Sequence, residues 1–150
     1  MDPAHMSGLQ RMQAFVDGSL PHPSMTDTLP MRVTAADRGF ARFRARADAR
    51  HLNTLGGVHG GFAATVLDSA TGCAVHTLLE PGVGYATVDL SVKLVKAVPV
   101  DADLSAEARV IHSSSRLAVA EGFLRDEAGT LLAHGTATCL ILRPAARSEG

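Results

Sequence analysis

The chain has 150 residues, 46% of them hydrophobic, and its 14 basic residues nearly balance 15 acidic ones. This length and composition predict one domain with a sizeable buried core, and the near-zero net charge argues against nucleic acid or a membrane surface as a partner. No stretch reaches the roughly 18 uncharged apolar residues of a membrane-spanning helix. No basic segment followed by an apolar one opens the chain, so no signal peptide is predicted.

The first part of the chain predicts a short helix followed by a loop. Ser7 and Gln10 have the spacing of a capping box and Gly18 is a helix stop, which bounds an amphipathic helix over residues 8–17. Prolines then mark an extended loop around residues 24–29. Such a loop is either a plain connector or the wall of a pocket.

A strand with one solvated face is predicted after Gly39. Ala41, Phe43 and Ala45 alternate with arginines at 42, 44 and 46, which is the period of a strand. Exposed arginines in this arrangement favour a solvated face over an anion-binding site.

The later part of the chain predicts one long helix and then an antiparallel sheet. Residues 60–79 are apolar almost all the way round the helix, so this helix is expected to be buried. No second helix separates the strands that follow, so they are expected to be antiparallel. The predicted fold is α+β, with the long helix against a single curved sheet. The predicted strands cover residues 85–95, 103–113, 116–125 and 130–142.

We divide the chain into an N-terminal helix and proline-rich loop, residues 1–30, a core over 31–142 and a frayed tail over 143–150. Cys73 and Cys139 stand alone in apolar runs, which is typical of buried free thiols rather than of a disulfide or a catalytic nucleophile. This cysteine usage fits a reducing, cytoplasmic environment.

The segment His51-Leu-Asn-Thr-Leu-Gly-Gly-Val-His-Gly-Gly61, followed by Asp68, is the most informative part of the sequence. Glycines at a helix start leave backbone N–H groups free to bind an oxyanion, so Gly60 and Gly61 are candidates for a carbonyl clamp. A lone acid in apolar surroundings is costly unless it has a partner or a chemical role. Asp68 is therefore the candidate nucleophile or general base.

Each of these residues also has a structural alternative. The glycines could simply allow close packing, and Asp68 could hydrogen-bond to the backbone or to Thr71. Asn53 either holds water or the substrate carbonyl, or fixes the loop. His59 either donates to the carbonyl region or orients the loop backbone.

Other common site types lack their motifs in this chain. His51, His59 and His76 do not have the spacing of a metal-ligand set, and neither cysteine is paired with one. There is no Gly-x-Ser-x-Gly elbow, no Walker loop and no dinucleotide-binding fingerprint in a strand-to-helix context. We expect no metal and no cofactor.

The segment His51-x-Asn53-x-x-Gly56-x-x-His59-Gly60-Gly61, followed by Leu67-Asp68-Ser69-Ala70, resembles hotdog-fold thioesterases. The most similar type is the PaaI-like, phenylacetate-degradation branch of the 4-hydroxybenzoyl-CoA thioesterase superfamily. The similarity continues through Tyr85-Ala-Thr-Val-Asp-Leu, the Pro99 turn and the final Ala133-His-Gly-Thr-Ala-Thr strand, and covers about residues 30–142.

The resemblance implies a hotdog fold, in which a curved antiparallel sheet wraps a long central helix, and it implies roles for individual residues. The Gly60 N–H would polarise a thioester carbonyl, and Asp68 would attack it directly or through water. Asn53 and His59 would position the thioester or the water. Thr87 would help to place the water.

The resemblance also implies an assembly and a substrate. Two protomers would join their sheets edge to edge, with Asn53 and Gly60 of one chain facing Asp68 of the other, and two such dimers would form a tetramer. Acyl-CoA would enter along the interface, its coenzyme A forming part of the substrate. The turn at Ser114, Ser115 and Arg116 could reach its phosphates, although a plain polar hairpin is the alternative.

The sequence thus predicts an acyl-CoA thioesterase acting on aromatic or short-to-medium acyl groups. Two rival functions stay open. One is an acyl-thioester hydratase or dehydratase with the same fold, and the other is a non-catalytic acyl-CoA-binding protein.

Overall fold

A computed structural model describes residues 1–146 and contains one six-stranded antiparallel sheet with a long helix packed on one face. The sheet order is β1-β2-β4-β5-β6-β3, so β1 and β3 are its two edges. The α+β prediction is confirmed, and so is the single long helix against one sheet. The helices are α1 (Gly8–Asp17), α2 (Met25–Thr28) and α3 (Gly60–His76), and the strands are β1 (Met31–Asp37), β2 (Phe40–Ala45), β3 (Gly84–Leu94), β4 (Leu104–Ser113), β5 (Leu117–Arg125) and β6 (Leu131–Leu142).

Helix α1 forms where its sequence predicts it. The Ser7 side chain accepts from the Gln10 N–H and the Gln10 side chain accepts from the Ser7 N–H, which completes the capping box. Gly18 ends the helix in the left-handed conformation, with φ of 81°, which favours glycine. Met12 and Ala14 are buried toward the rest of the protein.

The expected extended loop around residues 24–29 was wrong, because this segment forms α2. The Pro23 carbonyl accepts hydrogen bonds from both the backbone N–H and the hydroxyl of Thr26. The Ser24 carbonyl then accepts from the Asp27 N–H. Pro23 therefore begins a helical turn instead of preventing one.

Strand β1 was not predicted, because its alternation of buried and exposed residues is short. Met31 and Val33 are buried and Arg32 and Thr34 are exposed, but the register shifts between Val33 and Ala35. A bulge of this kind interrupts the period of two on which sequence-based strand prediction depends.

Strand β2 has the solvated face that the arginines predict. Arg42 pairs with Glu107 at 2.8 Å, and Arg44 and Arg46 both lie near Asp103, at 3.4 and 3.3 Å. Two open clefts of about 410 Å³ lie on this outer face and are lined by the same ion-paired side chains. The arginines therefore pair with carboxylates on an exposed surface.

Helix α3 is buried as predicted but ends at His76, three residues earlier than expected. The hydroxyl of Thr77 donates to the Ala74 carbonyl and accepts from the Gly39 N–H at 2.8 Å, which ties the helix end to the β1–β2 turn. The other end of α3 begins at Gly60, directly after the glycine-rich segment.

Alanine and glycine on the inner face of the sheet let α3 pack closely against it. A Cβ at Gly122 would lie 3.2 Å from Leu67, and a Cβ at Gly135 would lie 3.4 Å from the same side chain. Leu67 is fully buried, and Asp68 follows it on the helix. The inner face also carries the buried alanines Ala41, Ala45, Ala106, Ala108, Ala118, Ala120, Ala133 and Ala137.

The four later strands agree with their predicted ranges to within one residue at each end. Of the predicted tail, residues 143–146 lie in no helix or strand, and residues 147–150 lie outside the described part of the chain. Within residues 1–146, no helix is long and apolar enough to cross a membrane.

Candidate functional site

The segment before α3 forms a compact turn, residues 52–59, which we call the glycine turn. The Asn53 side-chain oxygen accepts from the backbone N–H groups of Leu55 and Gly57, at 2.9 and 3.2 Å. The Asn53 N–H donates to the Gly57 carbonyl, and Leu52 and Val58 form a β-bridge at the base. Asn53 therefore fixes the turn through its oxygen, and within residues 1–146 its amide nitrogen makes no hydrogen bond.

His59 caps the N-terminus of α3 with its side chain. Nδ1 of His59 accepts from the Gly61 N–H at 2.8 Å, so the imidazole occupies one of the two donors expected for the clamp. The N–H of Gly60 has no partner in the described part of the chain. Because free N–H groups and the helix dipole both favour negative charge at this end of α3, Gly60 is the donor available to an oxyanion.

Asp68 lies along α3 at a separate cavity of about 240 Å³. Its Oδ1 atom is buried and has no hydrogen-bond partner among residues 1–146. The alternative of a hydrogen bond to Thr71 is wrong, because the Thr71 hydroxyl donates to the backbone carbonyls of Leu67 and Asp68 instead. An unsatisfied buried carboxylate oxygen is costly to stability, and such groups are concentrated at functional sites.

Thr87, Tyr85 and Cys73 line the same cavity as Asp68. Thr87 lies just before a bulge in β3, between Thr87 and Asp89, and its hydroxyl is 3.9 Å from the Cys139 sulfur. β-Bulges are common next to active sites, where they change the direction in which a side chain points. The structure thus brings together the predicted residues Asp68 and Thr87.

The negative charge of Asp68 acts on the groups around it. Burial, and secondarily the Asp68 charge, raise the pKa of the Cys73 thiol to about 12. Burial is also the main reason that the pKa of Tyr85 is raised, with smaller contributions from Cys73, Cys139 and Asp68. Both groups are therefore neutral at neutral pH, and Asp68 is the acid of the cavity.

Most of the cavity wall comes from residues that sequence reasoning did not assign to the site. Tyr85 packs against Gly72, where a Cβ would lie 2.8 Å from the ring, so this glycine leaves space for an aromatic side chain. The proline-rich loop had been one possible pocket wall, and the structure places it there. The other wall residues are Met12, Phe15, His22, Pro23, Met25, Thr26, Met31, Val33, Phe43 and Ser69.

The glycine turn and the Asp68 cavity lie apart in one chain. Eight residues of α3 separate Gly60 from Asp68, which corresponds to roughly 12 Å along the helix axis. None of Asn53, His59 and Gly60 lines the cavity. One protomer therefore presents two partial sites, a donor site at the helix start and an acid site further along it.

The turn at Ser114, Ser115 and Arg116 is an exposed hairpin between β4 and β5. The Ser114 hydroxyl donates to the Leu117 carbonyl and accepts from the Leu117 N–H, and the Ser115 carbonyl accepts from Arg143. These contacts describe a polar hairpin that leaves the Arg116 guanidinium on the surface. Within residues 1–146, no group of three or more His, Cys, Asp or Glu side chains is arranged to hold a metal ion.

Comparison with known proteins shows what the chain is similar to. Residues 55–133 match the profile of the thioesterase superfamily. A Halobacterium salinarum protein named "Putative esterase" is 44% identical in an alignment 115 residues long that covers 73% of this chain and 72% of that protein.

Solved structures show the same fold. A phenylacetic acid degradation-related protein of Ralstonia eutropha has a TM-score of 0.78 and 27% identity, covering 86% of this chain and 98% of that one. The Escherichia coli PaaI protein from the phenylacetic acid degradation operon has a TM-score of 0.77 and 17% identity, covering 89% of this chain and 95% of that one. At that identity the likeness to PaaI shows the fold alone. The fold is the hotdog fold expected from the sequence.

Proposed function

Because the chain belongs to the thioesterase superfamily, we propose that it hydrolyses an acyl-CoA thioester to a carboxylic acid and free coenzyme A. The observation that carries this proposal is the buried, unpartnered Oδ1 of Asp68 at a mostly apolar cavity. A cavity of about 240 Å³ suits an aromatic or short-to-medium acyl group.

The chemistry needs only two protein groups beside water. Asp68 attacks the thioester carbonyl carbon directly, or takes a proton from a water that attacks it. The carbonyl oxygen gains negative charge, which the Gly60 N–H and the helix start stabilise. The C–S bond then breaks, and coenzyme A leaves as a thiolate. In the general-base route, the proton that Asp68 took from the water passes to this thiolate. In the direct route, the acyl group stays on Asp68 as a mixed anhydride, and a water hydrolyses it to the carboxylic acid and regenerates Asp68.

The supporting residues have roles that fit their positions. Thr87 shares the cavity with Asp68 and helps to place the water. The Asn53 amide nitrogen positions the thioester or water from the glycine turn. His59 acts through its cap on Gly61, which orients the first turn of α3 and leaves the Gly60 N–H for the substrate.

We further propose that each complete site forms between two copies of the chain. The two partial sites lie too far apart along α3 to act on one carbonyl within a protomer. Strand β3 is an 11-residue edge strand whose outer side pairs with no strand among residues 1–146, and on it Val88 and Leu94 are 58% and 59% exposed. An edge of this length invites a second strand.

Antiparallel pairing of two β3 strands would join the two kinds of partial site. The Gly84 end of β3 carries Tyr85 and Thr87 at the acid cavity. The Leu94 end lies against Gly60, since a Cβ there would be 2.5 Å from Leu94. Pairing brings the Leu94 end of one copy to the Gly84 end of the other, and therefore the Gly60 of one copy toward the Asp68 of the other. Two such dimers would form a tetramer.

Coenzyme A would then lie along the interface between the copies. Arg116 is the exposed cation of the β4–β5 hairpin, and with Ser114 and Ser115 it would contact the phosphates. The start of β5 lies at the same end of the sheet as Thr87, because Leu117 pairs with Leu140 and Thr87 pairs with Cys139.

The test is release of free thiol from a panel of acyl-CoAs, with acetyl-, octanoyl-, benzoyl- and phenylacetyl-CoA as substrates. Turnover of at least one of them supports the proposal. Hydration of crotonyl-CoA without thiol release would indicate the hydratase alternative. Tight binding of acyl-CoA with neither reaction would indicate a binding protein.

A further inference from the structure

His51 is almost fully buried, and both of its ring nitrogens have hydrogen-bond partners. Its side chain is 7% exposed. Nδ1 accepts from the Asp48 N–H at 3.0 Å, and Nε2 lies 2.9 Å from the Thr28 carbonyl oxygen. A peptide N–H can only donate and a carbonyl can only accept, so in these two bonds Nδ1 is the acceptor and Nε2 is the donor.

The backbone and ring of His51 also contact the start of α3. The His51 carbonyl accepts from the His59 N–H at 2.8 Å, so it fixes the residue that caps the helix. The ring packs against Phe62, with centroids 5.1 Å apart. His51 thus lies at the base of the glycine turn, next to the donor half of the proposed site.

Thr28, the other partner of His51, belongs to the segment that walls the acid cavity. His22, Pro23, Met25 and Thr26 of this segment line the cavity. Within residues 1–146, the bond from His51 to Thr28 is the only hydrogen bond that links residues 21–29 to the rest of the protein. The segment also precedes residues 55–133, the part that matches the superfamily profile.

We propose that His51 is a positioning residue that fastens the wall of the acyl cavity to the base of the glycine turn. It touches neither the cavity nor the reacting atoms. Through Thr28 it holds the 21–29 segment closed over the acyl group, and through His59 it holds the helix start in place. This inference rests on the proposed thioesterase function, because that function makes the cavity an acyl site.

Two variants separate the two bonds of the ring. His51→Asn keeps an acceptor near the Nδ1 position for the Asp48 N–H but is too short to reach Thr28. His51→Gln places an amide nitrogen near the Nε2 position and keeps a donor to the Thr28 carbonyl. We measure kcat and KM for acetyl-CoA and for octanoyl- and phenylacetyl-CoA, and hydrogen exchange of the 21–29 amides, in the full-length protein.

We expect His51→Asn to raise KM for the larger acyl groups about tenfold, in line with the loss of one hydrogen bond, with acetyl-CoA kinetics unchanged because that acyl group does not fill the cavity. The 21–29 amides should exchange faster in His51→Asn and at the wild-type rate in His51→Gln. An equal fall of kcat for every acyl group, or unchanged exchange in His51→Asn, would overturn the proposal.

The outcome for His51 is separable from the outcome for the proposed function. If the wild type hydrolyses no thioester, the function proposal fails, and octyl-CoA thioether binding replaces KM in the same comparison. Weaker thioether binding and faster exchange in His51→Asn alone would then still support the role of His51. Equal thioether binding in both variants and the wild type would reject it.

Discussion

The two partial sites on α3 differ in how fully their polar groups are satisfied. In the glycine turn, Asn53 and His59 bind backbone N–H groups, and the N–H of the half-buried Gly60 has no partner among residues 1–146. At the cavity, Asp68 has a buried oxygen with no partner. The glycine turn is held by its own hydrogen bonds and residues 52–57 are exposed, whereas at the cavity a buried carboxylate oxygen has a desolvation cost that no hydrogen bond offsets. The difference indicates that each site supplies what the other lacks.

Removing the acid should have the largest effect. Asp68→Asn replaces the carboxylate with a neutral amide of the same shape, so thiol release should fall about 10³-fold. The melting temperature should stay the same or rise, because the variant no longer buries an unpaired carboxylate oxygen. Ser69→Ala, at the same cavity, is the matched control and should stay within about threefold of the wild type. Near-native hydrolysis by Asp68→Asn would show that the acid has no chemical role.

Removing the Gly60 N–H should lower activity less than removing the Asp68 carboxylate does. A proline at the start of α3 can remove this N–H. Gly60 is the first residue of α3 and His59 before it is extended, at φ −62° and ψ 135°, so the backbone at this position accepts proline, which removes the N–H. The proline ring also brings a Cβ to within 2.5 Å of Leu94. Gly60→Pro should lower kcat about 10²-fold.

Gly60→Ala is the control for the donor experiment, because its methyl also meets Leu94 while the N–H remains. Both substitutions are made in a Leu94→Ala background, which removes that contact. If Gly60→Ala loses as much activity as Gly60→Pro, the space at this position matters and the N–H does not.

Mixing the two inactive variants would test whether the partial sites come from different chains. Co-expressed Gly60→Pro and Asp68→Asn chains should pair at random, so half of the dimers are mixed and each of these has one intact site. Activity should return to about a quarter of the wild type. A mixture as inactive as its parents, in a protein that is dimeric by sedimentation, would place both halves of the site in one chain.

The smallest effect concerns the thiol beside Asp68. With the pKa of Cys73 raised to about 12, iodoacetamide should not label it in the folded protein at pH 8. The folded state favours the neutral thiol, so its contribution to stability is complete below the ordinary pKa of 9.0 and is lost as the pH rises toward 12. Alkaline unfolding of Cys73→Ala, compared with the wild type, should begin at higher pH.

Asp68→Asn sharpens this thiol experiment. It removes the negative charge that adds to the burial effect, so the pKa of Cys73 should fall and labelling, followed by peptide mass spectrometry, should begin at lower pH. Unchanged labelling would mean that burial alone controls the thiol.

Residue patterns predicted the parts of the fold that repeat regularly. The capping box defined α1, the apolar run defined α3, and strict alternation defined the later strands. Strand β1 was missed because a bulge after Val33 breaks its alternation, and α2 was missed because Pro23 begins a helical turn through its carbonyl. Local patterns carry little information about features that depend on one carbonyl or one extra residue.

For the candidate site, sequence placed Asp68 and Thr87 together through family resemblance, and the structure brings both to one cavity. It did not assign Tyr85 to the site and left open whether the proline-rich loop walls a pocket, because contacts between distant segments leave no periodic pattern. His51 appeared in the matching motif without a role. Its role became visible only through its bond to Thr28, a residue 23 positions earlier in the chain.

The glycines beneath Leu67 have a consequence for the chemistry above them. Gly122 and Gly135 have no side chain and do not line the Asp68 cavity, yet they determine how closely α3 packs on the sheet. Alanine at Gly122 would force a shift of a few tenths of an ångström at Leu67, and Asp68 would move with its neighbour. The position of the Asp68 carboxylate therefore depends on two residues of β5 and β6 that have no side chain.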